Sequence, residues 1–103
     1  MTRRVVYSPS AERHLKDVND WIAAATSPET AARYILSVMD QCDRLVDFPM
    51  IGVAHDDIRP GLRTMGYRRR AVTAFTVTET SIEINGVHYG GCDIDAILTA
   101  DDE

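Results

Sequence analysis

Seven side chains in the second half of the chain have the chemistry to grip or cut something acidic: Arg63, Tyr67, Arg68, Arg69, Arg70, His88 and Tyr89. Cutting an RNA backbone needs a base or orienter for the 2′-hydroxyl, cations at the scissile phosphate and a proton donor to the leaving oxygen. Arg63 and Arg70 fit the phosphate, and Tyr89 or His88 fits the proton. The match stops there. The single lysine, Lys16, falls on a predicted helix, and no cluster of Lys, Arg and Tyr closes the C-terminal part. The other chemistry is recognition. A guanidinium fork pairs well with carboxylates, and on a strand Arg68 and Arg70 share one face while Arg69 takes the other. Tyr67, at a turn, is a natural contact. On this reading the seven residues are a partner-binding set, none is catalytic and no metal is bound. Plainer roles stand beside it: arginines on a solvated turn, Tyr89 as a ring over the sheet edge, His88 as a half-buried strand residue. Trp21 and Tyr34 read as core or hairpin packing.

Paired acids at Asp56-Asp57 and Asp93-x-Asp95 lack the third ligand and glycine-shaped loop of a divalent-metal site. The three histidines are scattered, and Cys42 and Cys92 form no zinc-type spacing. No cofactor is therefore expected. The net charge of −5 conceals an asymmetry: five arginines and no acid between residues 59 and 70 give +5 there and −10 elsewhere. A pI near 5.1 disfavours nonspecific nucleic-acid binding, and no direct sequence-specific nucleic-acid binding is expected. A focused basic patch on an acidic body still suits an acidic partner. Hydrophobic residues make up 45% and charged residues 26% of the 103, the balance of one globular domain over residues 1–103. No apolar run approaches a membrane span, and Val5-Val6-Tyr7 is too short for an export signal. The expected compartment is the cytoplasm.

The elements that must position these groups follow from local chemistry. Arg4 to Tyr7 reads as a short strand. Ser8-Pro9 opens a helix, Ser as cap and Pro in the first turn, with an apolar stripe at Ala11, Leu15, Val18, Ile22 and Ala25. Ser27-Pro28-Glu29 repeats the start signal, and Ala31, Ile35, Val38, Cys42 and Leu45 make a second stripe that ends at Phe48-Pro49. The two helices should pack as an antiparallel hairpin. Met50 to Gly61 reads as loop. Strands follow at Leu62–Met65, at Arg69–Thr78 and from Ile82, with Gly66-Tyr67 and Glu79-Thr80 as turns. The predicted fold is α+β: a short N-terminal strand, an antiparallel two-helix hairpin and a three-stranded antiparallel meander, one sheet face under the helices and the other open or covered by a partner.

Several segments in this order resemble the RelE/ParE superfamily of bacterial toxins: YSPSAERHL at the first strand–helix junction, RLVDFPMIG at the end of the second helix, RPGLR, and IEI followed by GVHYGGCDIDAIL. The long helix hairpin before the sheet favours the ParE branch. The resemblance implies the toxin of a type II toxin–antitoxin pair, bound as a hetero-oligomer by a small ParD-like antitoxin and acting on DNA gyrase. RelE-like members cut messenger RNA on the ribosome instead, and a non-toxic interaction module of the same fold is the third possibility.

Asn85-Gly86 is a strong hairpin signal when read locally. The resemblance implies instead that one strand runs through it, making the pair a bulge. A hairpin there would leave only Val87 to Tyr89 to return. The family commonly places a glycine and one or two arginines after this strand. Here Gly90 matches, but Gly91 and Cys92 stand where arginines often do, so any activity that depends on them is in question.

Overall fold

A computed structural model describes residues 3–67 and 71–89. The first strand, β1 (Arg4–Tyr7), leads into helix α1 (Pro9–Ala25), and α2 (Pro28–Asp43) follows. Both helix starts are set by the predicted chemistry. Ser8 Oγ accepts from the Ala11 amide at 3.0 Å and Ser27 Oγ from the Thr30 amide at 3.1 Å, each satisfying a donor the first turn leaves open. At the end of α1, the Thr26 amide and hydroxyl both donate to Ile22 O, at 2.8 and 2.9 Å. Ala11, Leu15, Val18 and Ile22 are buried, as are Ala31, Val38 and Cys42. Ala25 is exposed, one turn beyond the part of α1 that the sheet covers. The second helix stops earlier than Phe48-Pro49. It ends at Asp43 and tightens into a 3-10 turn over Arg44–Val46. That turn drops Leu45 fully into the core and leaves Phe48 outside.

The sheet has five strands, not three. They are β1, β2 (Val53–Ala54), β3 (Leu62–Tyr67), β4 (Ala71–Val77) and β5 (Ser81–Tyr89), in the spatial order β1-β5-β4-β3-β2. The predicted meander is its centre. The N-terminal strand joins it by lying parallel to β5, from Arg4 opposite Ser81 to Tyr7 opposite Ile84. The helix hairpin, together with β2, β3 and β4, thus lies in the connection between these parallel neighbours. At the other edge, β2 pairs two residues with Thr64 and Arg63, inside the stretch expected to be loop. Two residues carry no readable period. What holds them is Gly52, at φ +82°, where a Cβ would fall 2.1 Å from Thr64 O.

The core fills the helix-facing side: Met65, Phe75, Ile82, Ile84 and Val87 of the sheet against Ala11, Leu15, Val38, Cys42 and Leu45. The opposite face is partly covered by the chain itself. Ile58 packs on Leu62 and Ala74 there, and His55 Nε2 lies 2.8 Å from Thr64 Oγ1. Asn85-Gly86 is not a turn. Ala74 opposes Gly86 and Phe75 opposes Ile84, so Asn85 is the extra residue of a bulge within one continuous strand. Its amide donates to Thr76 Oγ1 at 2.7 Å, and its carbonyl accepts from Ser8 Oγ at 3.1 Å. Gly86 is glycine because a Cβ would sit 3.0 Å from His14 Nδ1 and 3.1 Å from His88 Nε2.

Candidate functional site: an aromatic run at one end of the sheet

Beyond Tyr7, β1 no longer flanks β5, and α1 takes over that edge. The Val87 amide donates to His14 Nδ1 at 3.2 Å, and the His14 and His88 rings lie 5.0 Å apart. The topology brings the end of β3, the start of β4 and the end of β5 together here. Ala71 opposes Tyr67 on one side and Tyr89 on the other, so the two tyrosines share its face toward the helices. Ala71 is small and buried. Tyr34 of α2 meets both tyrosines edge to face, at 5.5 Å from Tyr67 and 5.7 Å from Tyr89. Trp21 of α1 continues the run at 4.8 Å from Tyr89, inclined at 69°. Edge-to-face rings at these spacings attract beyond their simple burial. Four elements are therefore stitched together by one line of rings: Trp21, Tyr89, Tyr34, Tyr67.

Trp21 departs from the expected core role. It is 57% exposed, because it stands at the border of the α1 stripe, while its neighbour Ile22 on the stripe is buried. Beside it a groove of about 440 Å³ runs between α1 and the end of β5, lined by His14, Asp17, Val18, Trp21, Val87, His88 and Tyr89. Two of the seven sequence-chosen residues, His88 and Tyr89, thus line one groove. Tyr67 sits at the last position of β3, half-buried against Tyr34 rather than projecting from a turn.

Arg63 is elsewhere. Its guanidinium donates to the carbonyls of Met50 at 2.6 Å, Ile51 at 3.1 Å and Gly52 at 3.4 Å. It clamps the chain entering β2. Arg68, Arg69 and Arg70 lie outside the described residues, as do Gly90, Gly91 and Cys92. The residues that sequence reasoning left out of the site are Trp21, Tyr34, His14 and Asp17. The available signal was slight: Trp21 lies in the last turns of α1 and Tyr34 near the middle of α2, one on each arm of the hairpin.

The buried ionisable groups lie away from this end. Burial pushes the Cys42 thiol up to about 11, with Asp43 adding to the effect and Tyr7 opposing it. Burial also raises the Tyr7 hydroxyl well above its ordinary value, with Cys42 the next cause. A thiol held neutral is a poor nucleophile, so this pair is packing. Among the described residues no group of three His, Cys, Asp or Glu side chains is placed to hold a metal ion, and no helix is long and apolar enough to cross a membrane.

Comparison with known proteins places this geometry in context. A family model described as the ParE toxin of the type II toxin–antitoxin system parDE matches residues 5–84. Two curated proteins named Toxin ParE1, from Mycobacterium tuberculosis strains CDC 1551 / Oshkosh and ATCC 25618 / H37Rv, are each 29% identical over 98 residues. Each match covers 95% of this chain and 100% of the relative. Among solved structures, one described as the chromosomal ParDE TA system from P. aeruginosa superposes with a TM-score of 0.75 at 20% identity, covering 87% of this chain and 98% of that one. At that identity the likeness speaks for the fold alone.

Proposed function

Since the chain belongs to the ParE toxin family of type II toxin–antitoxin systems, we propose that it is a toxin that binds and inhibits DNA gyrase and is neutralised by a small cognate ParD-like antitoxin. It acts in the cytoplasm, as one domain over residues 1–103, by contact and without covalent chemistry or a cofactor. The antitoxin makes a hetero-oligomer with it, ordering an amphipathic segment against the helix hairpin and the sheet.

The observation that carries the choice of a binder over a nuclease is the state of Arg63. A phosphate-stabilising arginine must present its fork to the substrate. This one donates to three backbone carbonyls of its own chain. Tyr89, the other candidate, has its ring packed between Trp21 and Tyr34. Aromatic and arginine side chains are also what recognition surfaces favour; Tyr67, His88 and Tyr89 fall at one end of the sheet, and arginines 68–70 follow Tyr67 in the sequence. On this proposal they are the contact set.

The test is to induce the chain alone in a bacterium and follow DNA and protein synthesis separately by uptake of labelled precursors. An early fall in DNA synthesis with translation spared is the expected result. An early fall in translation would replace gyrase by messenger RNA as the target. If neither falls while the protein is folded, Gly91 and Cys92 in place of arginines become the explanation, and the chain is an interaction module.

A further inference from the structure

The groove between α1 and the end of β5 combines three features that the toxin reading does not use. The first is an unmatched carboxylate. Asp17 is exposed on α1, four residues before Trp21 and so on the same side of the helix. It makes no ion pair or hydrogen bond among the described residues. Its sequence neighbour Lys16 is committed to Asp20 at 2.8 Å. The second is an exposed indole, held in an edge-to-face contact with Tyr89. The third is an apolar floor from the buried Val18 and Val87. No lysine or arginine is among the described residues that line the groove. His14 Nδ1 accepts from the Val87 amide, so that nitrogen is engaged within the fold.

A carboxylate next to an exposed aromatic face over an apolar floor is complementary to one kind of side chain: a cation on an aliphatic stem. Arginine suits it better than lysine, because a planar guanidinium can stack on the indole while its fork engages the carboxylate. We propose that this groove is a docking site for an arginine presented by a partner polypeptide, with the guanidinium on Trp21 and paired with Asp17. The proposal goes beyond the toxin reading and does not depend on gyrase being the target.

Trp21 is the only tryptophan in the chain, so the site carries its own reporter. The full-length protein is titrated with a short blocked peptide of alternating leucine and arginine. A twin peptide carries citrulline, which keeps the shape and loses the charge. Trp21 emission and the Trp21 indole N–H signal in NMR are followed. The expected result is saturable perturbation by the arginine peptide, with the twin binding about tenfold more weakly, the scale of one charge-assisted contact beside an aromatic face. In Asp17→Asn, an exposed change that leaves the fold intact, the preference should shrink to about twofold or less. Equal binding of the two peptides, an undiminished preference in Asp17→Asn, or no response of Trp21 at millimolar peptide would each overturn the proposal.

Discussion

The Val87 amide points at His14 Nδ1, 3.2 Å away, and so ties the last turn of sheet to the first helix where no strand is present to do it. β1 has already ended, and Ser8 Oγ and His14 Nδ1 take the places of strand partners for Asn85 and Val87. Replacing His14 by Ala leaves the Val87 amide without its acceptor. The expected loss is about 1 kcal/mol of global stability. The local effect should be larger: amide hydrogen exchange at Val87 should accelerate well beyond the change seen at Ile82, which β1 still covers. Equal acceleration at both positions would mean that the bond has no local role.

Thr73 offers a gain rather than a loss. It is fully buried in the middle of β4, and its hydroxyl has no hydrogen-bond partner among the described residues. A buried unpaired hydroxyl carries a desolvation cost that an apolar group of the same shape avoids. Thr73→Val should therefore stabilise the fold by about 1 kcal/mol, seen as a higher urea midpoint with an unchanged slope. A lower midpoint would show that the hydroxyl is satisfied in solution.

The two helices and the central strands could be read from the sequence because their causes are local. Ser8-Pro9 and Ser27-Pro28 cap their own helices, and the stripes from Ala11 and Ala31 need only a period. The parallel pairing of β1 with β5 has no local signature, since Arg4 and Ser81 are far apart in sequence and meet only after the hairpin has folded between them. The two residues of β2 depend on Gly52 and on Arg63, which lies beyond the loop. The aromatic run was hidden for a related reason. Tyr67 and Tyr89 become neighbours only through their shared partner Ala71, and that register is known only once β3, β4 and β5 are aligned. Trp21 was misplaced because a helical period marks the border of a stripe but not how far the sheet extends beneath it.

Alkaline pH should weaken the fold through Cys42. The thiol ionises near 9.0 when free of the fold and at about 11 within it, chiefly because it is buried. Between those values the unfolded chain holds fewer protons than the folded one, so stability falls as pH rises. Below about pH 9 the contribution is complete, and it is lost progressively toward pH 11. Tyr7, also raised mainly by burial, works in the same direction. The unfolding free energy from urea melts should drop from pH 8 to 10.5 by an amount on the order of 1–2 kcal/mol, and Cys42→Ala should flatten that slope. In a Cys92→Ser background, labelling of Cys42 by a thiol reagent should proceed only at the rate of unfolding.

Arg63 separates a binder from a nuclease most cleanly when its charge is kept. Arg63→Lys preserves the cation but cannot reproduce a planar fork that reaches Met50, Ile51 and Gly52 together. The clamp should loosen, costing about 1–2 kcal/mol of stability, with the exposed Met50, Ile51 and Val53 made mobile beside it. If the clamp is structural, growth arrest by the induced chain should fall only as far as the folded population falls, and a compensating Thr73→Val should restore much of it. A catalytic arginine behaves differently: its replacement costs orders of magnitude that added stability does not recover. Measuring the urea midpoint and the onset of growth arrest for Arg63→Lys, alone and with Thr73→Val, distinguishes the two. Failure of the stabilised variant to recover while fully folded would put Arg63 at a reacting phosphate and return the nuclease reading to first place.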